Sequence, residues 1–309
     1  NLGKFHVRFK DVITRPEIIL GLKHLIELSM RRPEEYTHGV LKGNRIPGAL
    51  LYGPPGTGKT MLARAIATEA DCPTIEVSGA QVLQRYLGES EKIIQNIFSL
   101  AKEMEQCVVF LDEADSVFTS RSNSKNSWER SMVNQFLHEW DSLASGSERA
   151  FIVVATNRPQ DIDDAILRRL PRRFHLALPS KDEREAILKH YLADERCPSV
   201  DFRYLAVRTH RYSGSDLKNL CVQAASTAVA EAMQKPSTTA PGATKPQRIL
   251  TMDHFHIALQ DIRPAVTDET LHDIAAFEAK YGRDLLADLG LVEKFYYRLR
   301  SRTSRLLRK

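Results

Sequence analysis

Nowhere in its 309 residues does this chain hold an apolar run near the ~20 residues that a membrane-crossing helix requires. The opening residues lack the basic stretch and short apolar core of a secretory leader, although a first residue of Asn1 rather than Met makes a processed form or a fragment the expectation. Cysteine is scarce: Cys72, Cys107, Cys197 and Cys221 are widely scattered and show no paired metal-ligand spacing, which leaves reduced thiols in a cytosol-like compartment as the expectation. An excess of charge is missing too. Lys and Arg number 44 against 39 Asp and Glu, a net +5 with much of it near the C-terminus. With no aromatic-basic surface evident, neither clamp loading nor DNA unwinding is indicated. No internal repeat appears.

What is present is a globular composition, 42% hydrophobic and 27% charged, in a length that can bury a full core and form two packed units. The chain is organised around Gly53-Pro54-Pro55-Gly56-Thr57-Gly58-Lys59-Thr60. An apolar run, Ala49–Tyr52, precedes this stretch, and Met61–Ala67 follows it with helix-forming composition and helical apolar spacing. That context predicts a strand, a phosphate loop and a helix. Glycines let successive N–H groups curl onto an anion, and the helix N-terminus adds partial positive charge. Lys59 is then expected on the β- and γ-phosphates and Thr60 on Mg²⁺, with Met61 next in the nucleotide contacts.

Five apolar runs, Ala49–Tyr52, Thr74–Val77, Val108–Leu111, Phe151–Ala155 and Phe174–Leu178, alternate with helical patterns. Such runs predict a five-stranded parallel sheet covered by helices on both faces, with ligands at the carboxyl ends of the strands. Before it stands an N-terminal segment with a helix over Pro16–Met30. From Ser180 the pattern is helical only: Asp182–Leu192, an N-cap cluster Ser213-Gly214-Ser215-Asp216, a long helix Leu217–Met233, and helices from Met252 and over Asp268–Lys280. Lys235–Gln247 reads as a mobile loop. The expected division is a large α/β unit over 1–180, a helical lid over 181–282 and a tail over 283–309.

Cys107–Glu113 is an apolar strand ending in two carboxylates. Asp112 is placed to support Mg²⁺, and Glu113 to orient and polarise a water for in-line attack on the γ-phosphate. The next buried strand ends at Asn157, a candidate γ-phosphate sensor, though an ordinary turn before Arg158-Pro159 needs the same residue type. Leu167–Phe174 packs four arginines. A solvated basic cluster is the plain reading; the alternative is a finger reaching a neighbouring subunit's phosphates, with Arg168 and Arg169 ahead of Arg172.

Together the phosphate loop, Phe110–Asp115, Ala155–Pro159 and Ser213–Leu217 resemble the AAA ATPase module over roughly Phe9 to Tyr281. Leu167–Phe174, with Arg184–Lys189 and Ser213–Lys218, is most similar to the dislocases that extract mislocalised tail-anchored proteins from the outer mitochondrial membrane. The related severing and disassembly enzymes, katanin, spastin and the vacuolar-sorting ATPase, more often differ where Pro171 stands, although Asp261–Asp268 and its last helix resemble theirs. The resemblance implies ATP and Mg²⁺ as cofactors, and Gly214 and Ser215 among the nucleotide contacts. It also implies a homo-hexamer with sites at subunit interfaces, and a membrane-anchored polypeptide pulled through a central pore. Tyr86, Leu87 and Gly88 stand where the family has its first pore loop, an aromatic and an aliphatic to wedge between side chains and a glycine for the bend. Ser120–Trp128 matches the second by position. An upstream anchor would place the protein on the mitochondrial outer membrane, facing the cytosol.

Two departures stand out. Family members carry a glycine pair soon after the aspartate at which this chain reads Asp11-Val12-Ile13-Thr14-Arg15, which leaves the adenine contacts there open. In the tail, Leu285, Leu289, Val292, Tyr296 and Leu299 share one helical face beside Arg298, Arg302 and Arg305. Such a basic amphipathic segment suits an anionic membrane, a partner or packing on the lid. The readings to be weighed are a membrane-protein dislocase, a polymer-disassembling enzyme and a nucleotide-gated switch without turnover; Glu113 and the arginine pair argue against the last.

Overall fold

The computed structural model describes residues 2–3, 7–42, 48–83, 89–104, 106–118, 127–145, 149–234 and 248–281. They divide into two compact units. One takes in the chain through Tyr52, then Thr60–His175 and the described residues from Asp273 on; the other takes in Gly53–Lys59 and Leu176–His272.

The first unit is built on a sheet whose strands are β1 (Leu2–Gly3), β2 (Gly48–Tyr52), β3 (Thr74–Ser78), β4 (Gln106–Asp112), β5 (Arg149–Thr156) and β6 (Arg173–His175), ordered β1-β3-β4-β5-β2-β6. The last five run parallel, as the continuous apolar runs predict. β1 is an addition, antiparallel to β3; two residues carry no periodicity from which a strand can be read. The register aligns the strand ends: Tyr52 pairs with Thr156 and His175, and Ser78 with Asp112. Residues just past these ends therefore share one edge of the sheet.

Helices of this unit are α1 (Pro16–Ile26), α2 (from Lys59 to Ala70), α3 (Gly79–Leu83), α4 (Glu89–Glu103), α5 (Ser127–Ser145) and α6 (Asp164–Arg169). Alternate residues of the strands point to opposite faces, and both sets are buried. Leu50, Val109, Leu111, Ile152 and Val154 pack with Phe98, Phe136 and Trp140 of α4 and α5. On the other face Leu51, Phe110, Phe151 and Val153 are equally enclosed. Gly48 is a glycine because a Cβ would stand 2.4 Å from the Ile152 carbonyl oxygen and 2.6 Å from Trp140. The helix expected over Pro16–Met30 passes at Glu27 into a wider π-type turn ending at Arg31. The strand expected over Phe174–Leu178 stops at His175, because its partner β2 ends at Tyr52 and no further edge remains to pair with.

The second unit is helical: α7 (Lys181–Tyr191), α8 (Phe202–Arg208), α9 (Gly214–Gln234) and α10 (Met252–Asp261). Its core is Leu188, Leu205, Leu217, Leu220, Ala224, Leu250 and Phe255. Ser180 and Glu183 form a reciprocal capping box at the start of α7, which fixes where the helix begins. The division differs from the expected lid limits of 181 and 282 at both ends. At the far end, Ile274 and Phe277 of α11 (Asp268–Tyr281) pack into the first unit's core, Tyr281 donates to Asp164 at 2.7 Å, and Glu278 lies 2.9 Å from His175. The loop expected over Lys235–Gln247 and the tail from 283 lie outside the described residues. All four cysteines are free thiols. Burial pushes the Cys72 and Cys221 thiols up to about 12 and Cys107 up to about 11.

Candidate active site

Two glycines shape the loop that follows β2. Gly56 (φ 76°) and Gly58 (φ 94°) occupy left-handed backbone that side chains disfavour. A Cβ at Gly56 would also stand 2.6 Å from the Ser213 hydroxyl. That close neighbour is the start of α9, where the Ser215 N–H donates to the Gly56 carbonyl over 3.1 Å and Gly214 faces the same oxygen. Gly214 and Ser215 thus lie against the phosphate loop. Asp216, 5% exposed, pins this corner by accepting from the Ser213 N–H and hydroxyl, each at 2.9 Å, and from the Ala265 N–H at 3.4 Å.

Within the loop Pro54 is buried and Pro55 exposed, and the Thr57 hydroxyl donates to the Pro54 carbonyl at 2.9 Å. Lys59 opens α2 with only 6% of its surface exposed, and its ammonium donates to the Gly53 and Pro54 carbonyls at 2.9 and 2.7 Å. A buried ammonium requires such acceptors, and here they hold the positive charge within the loop. Glycine-freed N–H groups, a caged lysine and a helix N-terminus form an anion cradle suited to a polyphosphate.

Thr60 follows in α2, with Met61 partly buried behind it. The Thr60 hydroxyl donates to Asp112 Oδ2 at 2.7 Å, while Asp112 Oδ1 accepts the Glu113 N–H at 2.9 Å. A hydroxyl beside a carboxylate is the hard-oxygen pair that suits Mg²⁺, which takes one or two protein ligands and completes its shell with phosphates and water. Thr60 and Asp112 would hold the ion, and the ion would neutralise charge on the phosphates.

Glu113 departs from the strand with φ 54°, an uncommon conformation for a side-chain-bearing residue. Its carbonyl is held by the Ser116 N–H and hydroxyl at 3.0 and 2.7 Å, and its exposed carboxylate accepts the Ser78 hydroxyl at 3.1 Å. The turn therefore aims the carboxylate away from the strand, and Ser78, at the end of the neighbouring strand, sets its direction. On the other side, Asn157 follows Thr156, whose hydroxyl donates to Asp115 at 2.6 Å and accepts the Arg158 N–H at 2.9 Å. Asn157 and Glu113 thus leave adjacent strands at one edge of the sheet.

The arginines of the 167–174 segment have different fates. Arg168 is exposed. Arg169 makes a two-pronged pair with Asp141 of α5, at 2.8 and 2.6 Å, which holds the Asp141 carboxyl below its usual range and raises the guanidinium. Arg172 is half-buried. Arg173 is consumed by the fold, donating to the Leu170, Leu167 and Tyr281 carbonyls and lying over the Tyr281 ring. Tyr86, Leu87, Gly88 and the second pore-loop stretch lie outside the described residues, apart from the start of α5 at Ser127.

The family model described as "ATPase family associated with various cellular activities (AAA)" matches residues 49–178, and an AAA+ lid domain matches 199–240. The chain belongs to the AAA ATPases. Spastin of Danio rerio is 35% identical over 281 residues, covering 89% of this chain and 48% of that protein; spastin of Anopheles gambiae is 37% identical over 283 residues, covering 89% and 33%. The chain therefore spans between a third and a half of the length of these relatives. The crystal structure of the FIGL-1 AAA domain in complex with ADP superposes with a TM-score of 0.78 at 29% identity, covering 91% of this chain and 93% of that one.

As an AAA ATPase it uses ATP with Mg²⁺. By their chemistry, Lys59 and the loop N–H groups are suited to phosphate, Thr60 and Asp112 to the ion, and the Glu113 carboxylate to taking a proton from water. Two participants escaped the sequence reading. Ser78 is detectable in hindsight as a hydroxyl ending the strand beside Asp112-Glu113. Asp141 carries no sequence signal, since its partner lies 28 positions away.

Proposed function

We propose that the chain is the motor of a hexameric protein-remodelling enzyme, in which Arg168 and Arg169 act on the ATP of the adjacent subunit and turnover pulls on a polypeptide gripped by Tyr86 and Leu87. What supports it is that Thr60, Asp112 and Glu113 stand together at the strand ends of a unit that also carries an exposed arginine at the end of α6. A lone switch protein has no use for both.

Spastin as a relative favours the severing and disassembling branch of this group, so the substrate proposed is a protein polymer such as a microtubule or a membrane-scission filament. A second reading rests on the Leu167–Phe174 and Arg184–Lys189 segments, including Pro171, which resemble membrane-protein dislocases. It carries with it an upstream anchor, a tail-anchored substrate and a place on the mitochondrial outer membrane. The test is direct. Purified protein with ATP is given stabilised microtubules in one assay and liposomes bearing a tail-anchored protein in another. Polymer shortening that Tyr86→Ala abolishes supports the first reading; extraction without shortening transfers the proposal to the second; activity on neither, in protein that turns over ATP, removes both.

A further inference from the structure

The hydrogen-bonded ladder between β4 and β5 ends at Leu111 and Val154. Glu113 and Asn157 both lie past that point, so the sheet no longer fixes the spacing between them. Beyond it the two chains are joined by other bonds, all within the first unit. The Thr156 hydroxyl donates to Asp115 Oδ1 at 2.6 Å, and the Asp163 N–H donates to the Phe118 carbonyl at 2.8 Å. The turn that starts at Glu113 is thereby tied on either side to the segment that runs through Asn157.

Thr156 is well suited to this place. It is 1% exposed, and its hydroxyl makes two bonds at once. Besides donating to Asp115 it accepts the Arg158 N–H at 2.9 Å, which closes a turn with Asn157 in the middle. A hydroxyl closed to water and set on a carboxylate at 2.6 Å makes a charge-assisted bond of the strong class. The Asp115 side is held as firmly. Ala114 and Val117 are buried in the core of the first unit, and the Ser116 N–H and hydroxyl grip the Glu113 carbonyl. A displacement of Asp115 is therefore passed to the backbone that aims Glu113, and a displacement of Thr156 to the backbone that aims Asn157.

We infer that Thr156 and Asp115 are positioning residues for hydrolysis: the bond between them sets the Glu113 carboxylate and the Asn157 side chain at the spacing that attack on the γ-phosphate requires. Nucleotide binding does not depend on this bond, because Lys59 and Thr60 are held by bonds of their own. The rate does, since a misplacement of about 1 Å can cost 10²-fold. This role for the pair rests on Glu113 being the base.

The experiment uses the whole chain in four variants. Thr156→Val keeps the shape and removes the hydroxyl, Thr156→Ser keeps the hydroxyl, and Asp115→Ala is made alone and together with Thr156→Val. Turnover is counted per nucleotide site titrated with fluorescent ADP, so that unfolded protein does not enter the rate. Thr156→Val is expected to lose about 10- to 10²-fold in kcat with ADP affinity within about twofold of wild type. Thr156→Ser should stay within about threefold of wild type. The double variant should fall no further than the slower single variant, because the same bond is removed. ADP with aluminium fluoride, a mimic of the transferring phosphoryl group, should bind about tenfold more weakly to Thr156→Val than to wild type. Unchanged kcat in Thr156→Val overturns the inference, as do losses that multiply in the double variant, a fall in kcat matched by lost ADP affinity, or a Thr156→Ser as slow as Thr156→Val. Glu113→Gln, run alongside, separates two failures. Thr156→Val active beside an inactive Glu113→Gln overturns the pairing alone, whereas full turnover in Glu113→Gln overturns the base and the pairing with it.

Discussion

Gly53–Thr60 and Leu167–Phe174 are the two stretches richest in candidate functional residues, and they differ in how a sequence encodes such residues. In the first, the backbone is the instrument: Gly56 and Gly58 hold conformations that few other residues adopt, and their positions alone announce the loop. In the second, one residue type occurs four times and its meaning depends on what surrounds it. Arg173 is spent on three carbonyls, Arg169 faces Asp141, and Arg168 is exposed. Backbone-coded function is local and legible; side-chain-coded function waits for the fold.

The largest effect is expected on the phosphate side. Glu113→Gln keeps the Ser78 and Ser116 contacts but removes the base, so turnover should fall by about 10² to 10⁴-fold while ATP still binds, as read by a fluorescent-nucleotide titration. Full turnover in that variant would take the catalytic role from Glu113.

In the arginine segment the contrast lies between activity and stability. Arg173→Ala should lower stability by about 1–3 kcal/mol, because three carbonyls lose a charged donor, with a matching loss in denaturant midpoint. Arg168→Ala should leave that midpoint within about 0.5 kcal/mol, as surface changes do. Equal destabilisation by both would erase the distinction drawn between them.

The smallest effect concerns pH. Arg169 holds the folded Asp141 carboxyl below its ordinary value, so the pair's contribution is present above the unfolded carboxylate range near pH 4 and fades as pH falls through the lowered value. Since the side chain of Asp141 is 56% exposed, screening keeps the contribution to a few tenths of a kcal/mol. Asp141→Asn should flatten the acid limb of the stability profile slightly and leave it unchanged at pH 7 to 8 beyond that small amount; a large loss at neutral pH would contradict the exposed placement.

Most of the scaffold could be read from the chain alone. Five buried strands announced themselves because continuous apolar runs admit little else, and α10 and α11 begin where Thr251 and Asp268 lead into helical periodicity. What stayed hidden was set by distant contacts. The end of β6 is decided by where β2 stops pairing, the place of Phe277 by the core it enters, and the pairing of Arg169 with Asp141 by a helix 28 residues earlier. Ser78 is an intermediate case: its strand was evident, and only the register against Asp112 reveals that its hydroxyl meets Glu113.

If Arg168 and Arg169 serve a neighbour's nucleotide, two inactive variants should complement each other when mixed. Glu113→Gln lacks the base but keeps its arginines; Arg168→Ala/Arg169→Ala lacks the arginines but keeps its base. Each alone should be nearly inactive, and equimolar co-assembly should restore turnover well above the sum of the two, since the intact base of one copy then meets the intact arginines of the other. Turnover in the mixture no greater than the average of the separate variants would contradict the account.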